Sequence, residues 1–504
     1  MLVGAPYLVA FTTTMKTQLL EYYFHTPPTQ GKAGAANLPI TSIHFHPSHS
    51  KLFLTTGFDS KIMLWQLSSP HDLQEVNRPP QDTAASNNKY QIKCLKELKS
   101  TETHSVINCA RFSPHQGNFI ASGTDGGILR VWNLKEALQS SDSNAFSSAN
   151  CGKNMQNDSF SISDLAWVGV QHLVTVSMSV AGSQSGGRCI MWDVASRSPL
   201  KVFDDKFKGF LQGCCVDPFG KYVAVQSTNR CSKFYEIRYS VSSKHTSQAS
   251  SSSGTTAAPP TNSTSSPVQT RTMKNVVKLK TLTKGQNFIF RADNATMFTR
   301  RTNWSPDSLL CCMTAAALNT KDLQNVALLF LRDYFDEPIC VLPVDEVVVG
   351  CAWSPVFYEL REQKEPQLFP LKSVMCEGKS SEISYRQLLA VLTKKTVYIY
   401  DTHNKHPVAI IKNMHLSTLT DASFSADGMS LLVASHDGYA SVIQFEEKEI
   451  GKALSVEELY TQEHLVRIGK ENKMRFQKEL SNVEDRLFPV RSKENNPNIL
   501  NVRR

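Results

Sequence analysis

Short runs of alternating or continuous apolar residues recur along the chain, each bounded by turn-forming residues, and the order of runs repeats. The clearest copy lies between Val106 and Leu134: Ile107-Asn108-Cys109-Ala110-Arg111-Phe112, a Ser113-Pro114 turn, Phe119-Ile120-Ala121-Ser122-Gly123, then Ile128-Leu129-Arg130-Val131-Trp132. Runs this short between turn signals suit strands and are too short for core helices. An equivalent unit precedes it: Ile40 to Phe45, His46-Pro47, Leu52 to Gly57, Asp59, and Ile62 to Trp65. A third spans Phe160 to Val194, with an expanded loop from Ala181 to Gly187 and the ending Trp192-Asp193. The fourth, Leu200 to Ile237, ends instead on Phe234-Tyr235-Glu236. The fifth carries Trp304-Ser305-Pro306-Asp307 and reaches Leu331; the sixth carries Trp353-Ser354-Pro355 and closes at Val397 to Tyr400. The seventh holds Phe424 to Gly428, Ser435-His436-Asp437-Gly438 and Val442 to Phe445.

Seven units of this kind predict an all-β chain, a seven-bladed WD40-type β-propeller over residues 15–448. A four-stranded blade has apolar faces that only its neighbours can cover, so the array must close into a ring. Lys16 to Phe24 is the strand available to complete the last blade, which leaves residues 1–14 as an N-terminal extension. Residues 240–272 are dominated by Ser, Thr, Pro and Ala, a composition that buries too little to offset chain entropy, and are expected to form a disordered insertion. Residues 449–504 read as a short tail outside the ring: Ser455-x-x-Glu458 opens a charged helical stretch to about Leu480, followed by a polar segment with Pro489 and Pro497.

Composition narrows the setting. Hydrophobic residues make up 41% and charged residues 20% of the 504, as in globular proteins. No apolar run reaches the roughly 18 residues a membrane-spanning helix needs, and Met1 to Phe11 lacks a basic flank, which points to an intracellular chain. The twelve cysteines include no Cys-x-x-Cys, and the adjacent pairs Cys214-Cys215 and Cys311-Cys312 lie in strand-like runs, so they read as reduced core residues. The net charge of +9 is modest, reads as spread along the chain, and permits acidic partners or nucleic acid without requiring either.

His104, Ser122 and Asp125 contain the parts of a hydrolytic triad. Their order and spacing before Trp132 fit better the His, Ser, Asp and Trp that hydrogen-bond within a WD blade, and no Gly-x-Ser-x-Gly elbow accompanies them. No catalytic residue is therefore expected. His44, His46, His403 and His406 lack ligands at zinc spacing, and Gly182 to Gly187 lacks the Lys and Ser/Thr of a phosphate loop, so neither metal nor cofactor is expected. The sequons at Asn262 and Asn303 read as accidental matches. Two stretches suit partner binding. Phe298 to Trp304 sets Arg300 and Arg301 beside aromatics, with Trp304 as an anchor, the other reading being an arginine pair on the outer face of a strand. Phe357, Tyr358, Glu359, Leu360 and Arg361 follow the Ser354-Pro355 turn, where a propeller places a loop. The tail cations Arg467, Lys470, Lys473, Arg475 and Lys478 read as a solvated helix face.

Several strings longer than a generic WD ending resemble the middle, WD-repeat subunit of chromatin assembly factor one: Phe298 to Arg301 leading into Trp304 to Asp307, Ser354 to Arg361, Leu388 to Val391 through Tyr400 to Thr402, and His415 to Asp421 followed by Ser435 to Ser441. The resemblance covers most of residues 15–450. It implies a nuclear, non-enzymatic histone-chaperone subunit that joins a large acidic subunit and a second WD-repeat, histone-binding subunit, and that deposits histones H3-H4 at replication forks and repair sites, with DNA contacted at most indirectly. Animal relatives bind the anti-silencing chaperone through basic, Pro-containing motifs after the propeller, and Arg486-Leu487-Phe488-Pro489 matches such a motif poorly. Residues 240–272 look like an insertion relative to the family. Two other readings stand beside this one. The WD-repeat chaperone of replication-independent deposition resembles the propeller but has a long second half. Substrate receptors of cullin ubiquitin ligases carry Trp-Asp-x-Arg, where this chain has Trp192-Asp193-Val194-Ala195. The expected contacts are top-surface loops and blade sides.

Overall fold

The computed structural model describes residues 15–22, 24–26, 37–68, 90–99, 105–139, 160–179, 186–203, 207–243, 269–285, 288–292, 299–318, 322–361, 373–376, 379–404 and 406–455. Antiparallel sheets follow one another along the chain as the blades of a seven-bladed propeller. Blade one is Ile40–His46, His49–Gly57, Lys61–Ser68 and Gln91–Lys99. Blade two contributes Ile107–Phe112, Phe119–Thr124 and Leu129–Asn133. Blade three is Phe160–Val168, His172–Ser179, Cys189–Asp193 and Ser198–Val202. Blade four is Leu211–Val216, Tyr222–Ser227, Cys231–Ser243 and Gln269–Leu282. Blade six is Val348–Trp353, Leu388–Thr393, Thr396–Asp401 and Ala409–Lys412.

Blade seven takes three strands from Leu419–Phe424, Ser430–Ser435 and Ala440–Gln444, and its fourth from Lys16–Leu20. The closing pair runs from Lys16 opposite Gln444 to Leu20 opposite Ala440. Phe24 lies beyond this strand yet is fully buried in the seam between blades seven and one. Leu200 belongs to the outer strand of blade three, because each blade ends one strand later than the sequence unit that contains its Trp.

Blade five is irregular. Its strands Leu310–Leu318, Asn325–Leu331 and Cys340–Pro343 are regular, but its inner edge is split between Phe288–Phe290 and Asn303–Trp304, both paired with Leu310–Leu318. At the break the backbone pairs with neighbouring blades instead: the Arg300 N–H donates to the Gln212 carbonyl of blade four at 2.9 Å, and the Arg301 N–H to the Val349 carbonyl of blade six at 3.1 Å. The Arg300 carbonyl comes so close to Gly213 that a Cβ there would sit 1.9 Å from it, so this position requires glycine.

Strand composition follows position. Second strands such as Phe119–Thr124 and Leu388–Thr393 are buried at every residue because both faces meet another blade, whereas the outer strand Ser198–Val202 has no buried residue. Seven hydrophobic clusters fill the seven seams. The seam of blades five and six, for example, packs Leu329 and Leu342 against Trp353, Leu389 and Tyr398.

Two boundaries differ from the sequence reading. Ser240–Ser243 and Gln269–Thr272 are paired as the ends of two long strands, so the region expected to be an insertion from 240 to 272 is strand at both ends; residues 244–268 lie outside the described residues. The tail expected to begin at 449 is docked through residue 454: helix Glu447–Ile450 is followed by a segment that pairs with blade six. The charged stretch expected to be helical after Ser455 lies outside the described residues, as do residues 1–14.

Candidate functional site

The innermost strands converge on a central channel, and several end in an X-Pro turn at its mouth: His46-Pro47, Ser113-Pro114, Asp217-Pro218, Ser305-Pro306 and Ser354-Pro355. Proline fixes φ for such turns and its missing N–H costs no ladder bond at a strand end. The mouth opens a cavity of about 510 Å³ whose walls include Arg111, Asp164, Trp167, Arg301, Trp353 and Asp421.

A charged network crosses this channel. Asp421, buried on blade seven, accepts from the Ile43 amide (3.0 Å), the Ser42 hydroxyl (3.0 Å) and Arg111 Nη1 (2.9 Å), and pairs with Arg301 Nη1. Arg301 Nη2 donates to the carbonyls of Thr41 (3.0 Å) and Asn108 (3.2 Å), so one side chain reaches from the break in blade five to blades one, two and seven. Burial acts to raise the Asp421 carboxyl, but Arg111 and Arg301 outweigh it and hold it below the usual carboxylate range. For Asp164 burial wins over the same arginines and its carboxyl is raised. One Asp164 oxygen accepts from the Cys214 amide at 3.3 Å, and the other has no partner among the described residues. Burial, then Arg111, lowers the His44 imidazole to about 3, so it is neutral at physiological pH. Among the described residues no group of His, Cys, Asp and Glu could hold a metal ion.

The segment after Ser354-Pro355 is the centre of a small ladder. Tyr358 exchanges backbone hydrogen bonds with Arg386 at 2.9 and 3.0 Å, and on its other side the Glu359 N–H donates to Lys452 and the Leu454 N–H to Phe357. Arg386 is fully buried: it pairs with Asp401, donates Nε–H to the Glu359 carbonyl at 2.8 Å, and donates Nη2–H to the Ile450 carbonyl at the end of the short helix. Gly451 has φ +86°, and a Cβ there would lie 2.1 Å from Arg386 Nη2, so only glycine lets the segment pass this close. Tyr358 is buried, its hydroxyl 3.0 Å from Ser354 Oγ and its ring beneath the Arg386 guanidinium.

The expected partner residues are thus redistributed. Arg300 and Arg301, expected on loops or on an outer strand face, are 1% and 3% exposed and face inward. Arg300 is saturated by Gln212 Oε1 and by the carbonyls of Ser227, Arg291 and Ala292. Trp304 is buried between blades four and five, stacked on Tyr222. Of the segment Phe357 to Arg361, Leu360 is exposed, Phe357 rests edge-on against Tyr385, Glu359 pairs with Lys452, and Arg361 donates to the Glu449 carbonyl. Burying an unpaired guanidinium is prohibitive, and the split inner strand supplies carbonyls and a carboxylate that make burial tolerable.

Within the blades, Trp132 Nε1–H donates to Ser122 Oγ at 3.1 Å, as Trp65 does to Thr55 and Trp192 to Thr175. In blade one the chain is complete: Asp59 accepts from His25 Nδ1–H at 2.7 Å, His25 Nε2 takes the Thr55 hydroxyl proton, and that hydroxyl takes the indole N–H. The Asp125 N–H donates to Val106, and burial raises its carboxyl. His104 lies outside the described residues, as does Phe298. The sequence reading passed over His25, Arg111, Arg386 and Asp421. A signal existed for Asp401, Arg386's partner, because Tyr400-Asp401 ends a third strand where blade three has Trp192-Asp193. No signal marked Arg386 itself.

Residues 36–450 match the family model described as the CAF1B/HIR1 beta-propeller domain. The chain is 25% identical over 431 residues to a chromatin assembly factor 1 subunit of Mus musculus, covering 82% of this chain and 65% of that protein. It is 26% identical over 427 residues to the chromatin assembly factor 1 subunit FAS2 homolog of Oryza sativa subsp. japonica (82% of this chain, 71% of that protein). It is likewise 26% identical over 450 residues to protein HIR1 of Yarrowia lipolytica, covering 85% of this chain but 38% of that protein. The chain therefore spans a little under two thirds of the mouse relative's length.

Proposed function

Because the chain belongs to the CAF1B/HIR1 beta-propeller family, we propose that it is a non-enzymatic scaffold subunit of a nuclear chromatin-assembly complex. In this reading it joins a large acidic subunit and a second WD-repeat, histone-binding subunit, and serves the deposition of histones H3-H4 coupled to replication and repair. The observation that carries the proposal is the unbroken family match from before the first strand of blade one to the end of blade seven. The inward commitment of Arg300, Arg301 and Arg386 supports a rigid ring whose outer loops and edges do the binding. Affinity purification of the tagged chain from dividing cells, with mass spectrometry of what stays bound in moderate salt, tests it. Recovery of the acidic subunit, the second WD-repeat protein and H3-H4 is expected; their absence from every preparation refutes the assignment. The similarity to protein HIR1 supports a second reading, a chaperone of replication-independent deposition, and recovery of that pathway's subunits instead would select it.

A further inference from the structure

The net charge of +9 is not evenly spread. Between Ile237 and Lys284 there are seven Lys and Arg and no Asp or Glu, and the described parts of this stretch, 237–243 and 269–284, form the outer part of blade four. Its last strand, Gln269–Leu282, has 14 residues, whereas the outer strands of blades three, five, six and seven have four or five. Blade four's second strand pairs with its third only from Tyr222 opposite Glu236 to Ser227 opposite Cys231, so the pairing of Ile237–Ser243 with Gln269–Val276 continues past it as a two-stranded ribbon. Tyr239 holds the ribbon to the first turn of the blade through the Gly220 carbonyl at 3.1 Å. Among the described residues no strand pairs with the outer side of Gln269–Leu282, although Lys280 within it is already paired with Asp336.

We propose that this edge is a docking strand for an acidic, extended protein segment, which adds to blade four as a fifth strand. An unpaired edge offers a row of backbone donors and acceptors to any extended chain, and side chains decide which chain is admitted. Here Lys274 and Lys278 are exposed, Lys284 follows at the strand's end, and Leu279, 39% exposed, offers an apolar foothold between them. Opposite charges across strands attract and like charges repel. The lysines therefore disfavour a second copy of the same edge and favour a strand rich in Asp or Glu. A nucleic acid would use the charge but not the backbone edge, and the edge is what decides for polypeptide. The inference rests on the scaffold reading only in taking the occupant to be another protein; the surface itself follows from charge and strand geometry.

The test uses the purified full chain and a fluorescent twelve-residue peptide alternating Glu and Val, followed by anisotropy. A peptide of the same length and charge with proline at every third position, and a duplex DNA of matching charge, are the competitors. Binding should weaken about tenfold or more with the proline peptide, which cannot form a ladder, and about tenfold in the Lys274→Glu, Lys278→Glu variant, with weaker binding at higher salt. The thermal midpoint is read alongside binding; if the Glu variant melts below the parent, the Lys274→Gln, Lys278→Gln variant, which removes the charges without reversing them, replaces it. Equal binding of the proline peptide, indifference to the lysine changes, or tighter lysine-dependent binding of DNA overturns the proposal. Because the probe is synthetic, its failure would leave the co-purification result standing, and the converse also holds.

Discussion

Replacing Asp421 by Asn keeps an acceptor for the Ile43 amide and the Ser42 hydroxyl but leaves Arg111 and Arg301 facing each other without their shared anion. Breaking a buried ion pair from one side costs about 3 to 5 kcal/mol, because the surviving charge is stranded. The Arg111 side chain keeps 17% of its surface, which gives partial relief and places Asp421→Asn near the lower end of that range, about 3 kcal/mol. Asp421→Ala also strands the Ile43 N–H, which adds about 1 to 2 kcal/mol. With an unfolding entropy of about 2.1 cal/mol/K per residue over the roughly 325 described residues, each kcal/mol moves the midpoint by about 1.5 °C. Scanning calorimetry should therefore find Asp421→Asn lower by about 4 °C and Asp421→Ala by about 7 °C. Asp336→Asn is the control: its carboxylate is exposed and pairs with Lys280, a surface pair that contributes under about 1 kcal/mol. If Asp421→Asn shifts the midpoint no more than Asp336→Asn does, the channel network does not hold the ring together.

Ser122→Ala should cost roughly 1 to 3 kcal/mol by leaving the Trp132 indole N–H without its acceptor, and Ser122→Thr should restore most of it, since threonine takes this place beside Trp65 and Trp192; urea titration decides. Ending the chain after Phe445 removes the Ile450 carbonyl from buried Arg386 and should lower stability by about 3 kcal/mol relative to a chain ending after Ser455, which keeps the docked segment; equal midpoints for the two truncations would refute the docked-segment account. His44 has an imidazole lowered to about 3, so the unfolded chain takes up its proton near pH 6.5 and the folded protein does not. The stability this confers is complete above pH 6.5 and is lost as pH falls toward 3, by up to about 1.4 kcal/mol per unit. His44→Asn should flatten that slope in urea titrations at pH 7 and 4.5, and an unchanged slope would rule the histidine out.

The ring was legible in the sequence because blades repeat: Trp65, Trp132 and Trp192 each end a third strand, and the Ser-Pro turns mark the ends of inner strands. The partner residues were less legible, for a physical reason. Arg300-Arg301 beside aromatics looks the same whether the guanidiniums face solvent or a ring of carbonyls, and the strand whose alternation would have shown their direction is interrupted there. Phe357 to Arg361, read as a connecting loop after the Ser354-Pro355 turn, is instead paired with residues 386 and 452–454, and no local pattern reports pairing at that distance.

The strand pair that closes the ring also sets an order of events during synthesis. Lys16–Leu20 is made early, yet the strand it pairs with appears about 420 residues later. At 5 to 20 residues per second a ribosome needs roughly 20 to 80 seconds to cover that stretch. Through that interval Leu20 and Phe24 lack the blade-seven half of the seam that buries them, and blade one shows an apolar face to solvent. Until the final strand emerges, a nascent chain of this design cannot cover the faces of its first and last blades. Whatever shields those two faces while translation runs thus bears on its yield in the cell, alongside the stability of the finished ring.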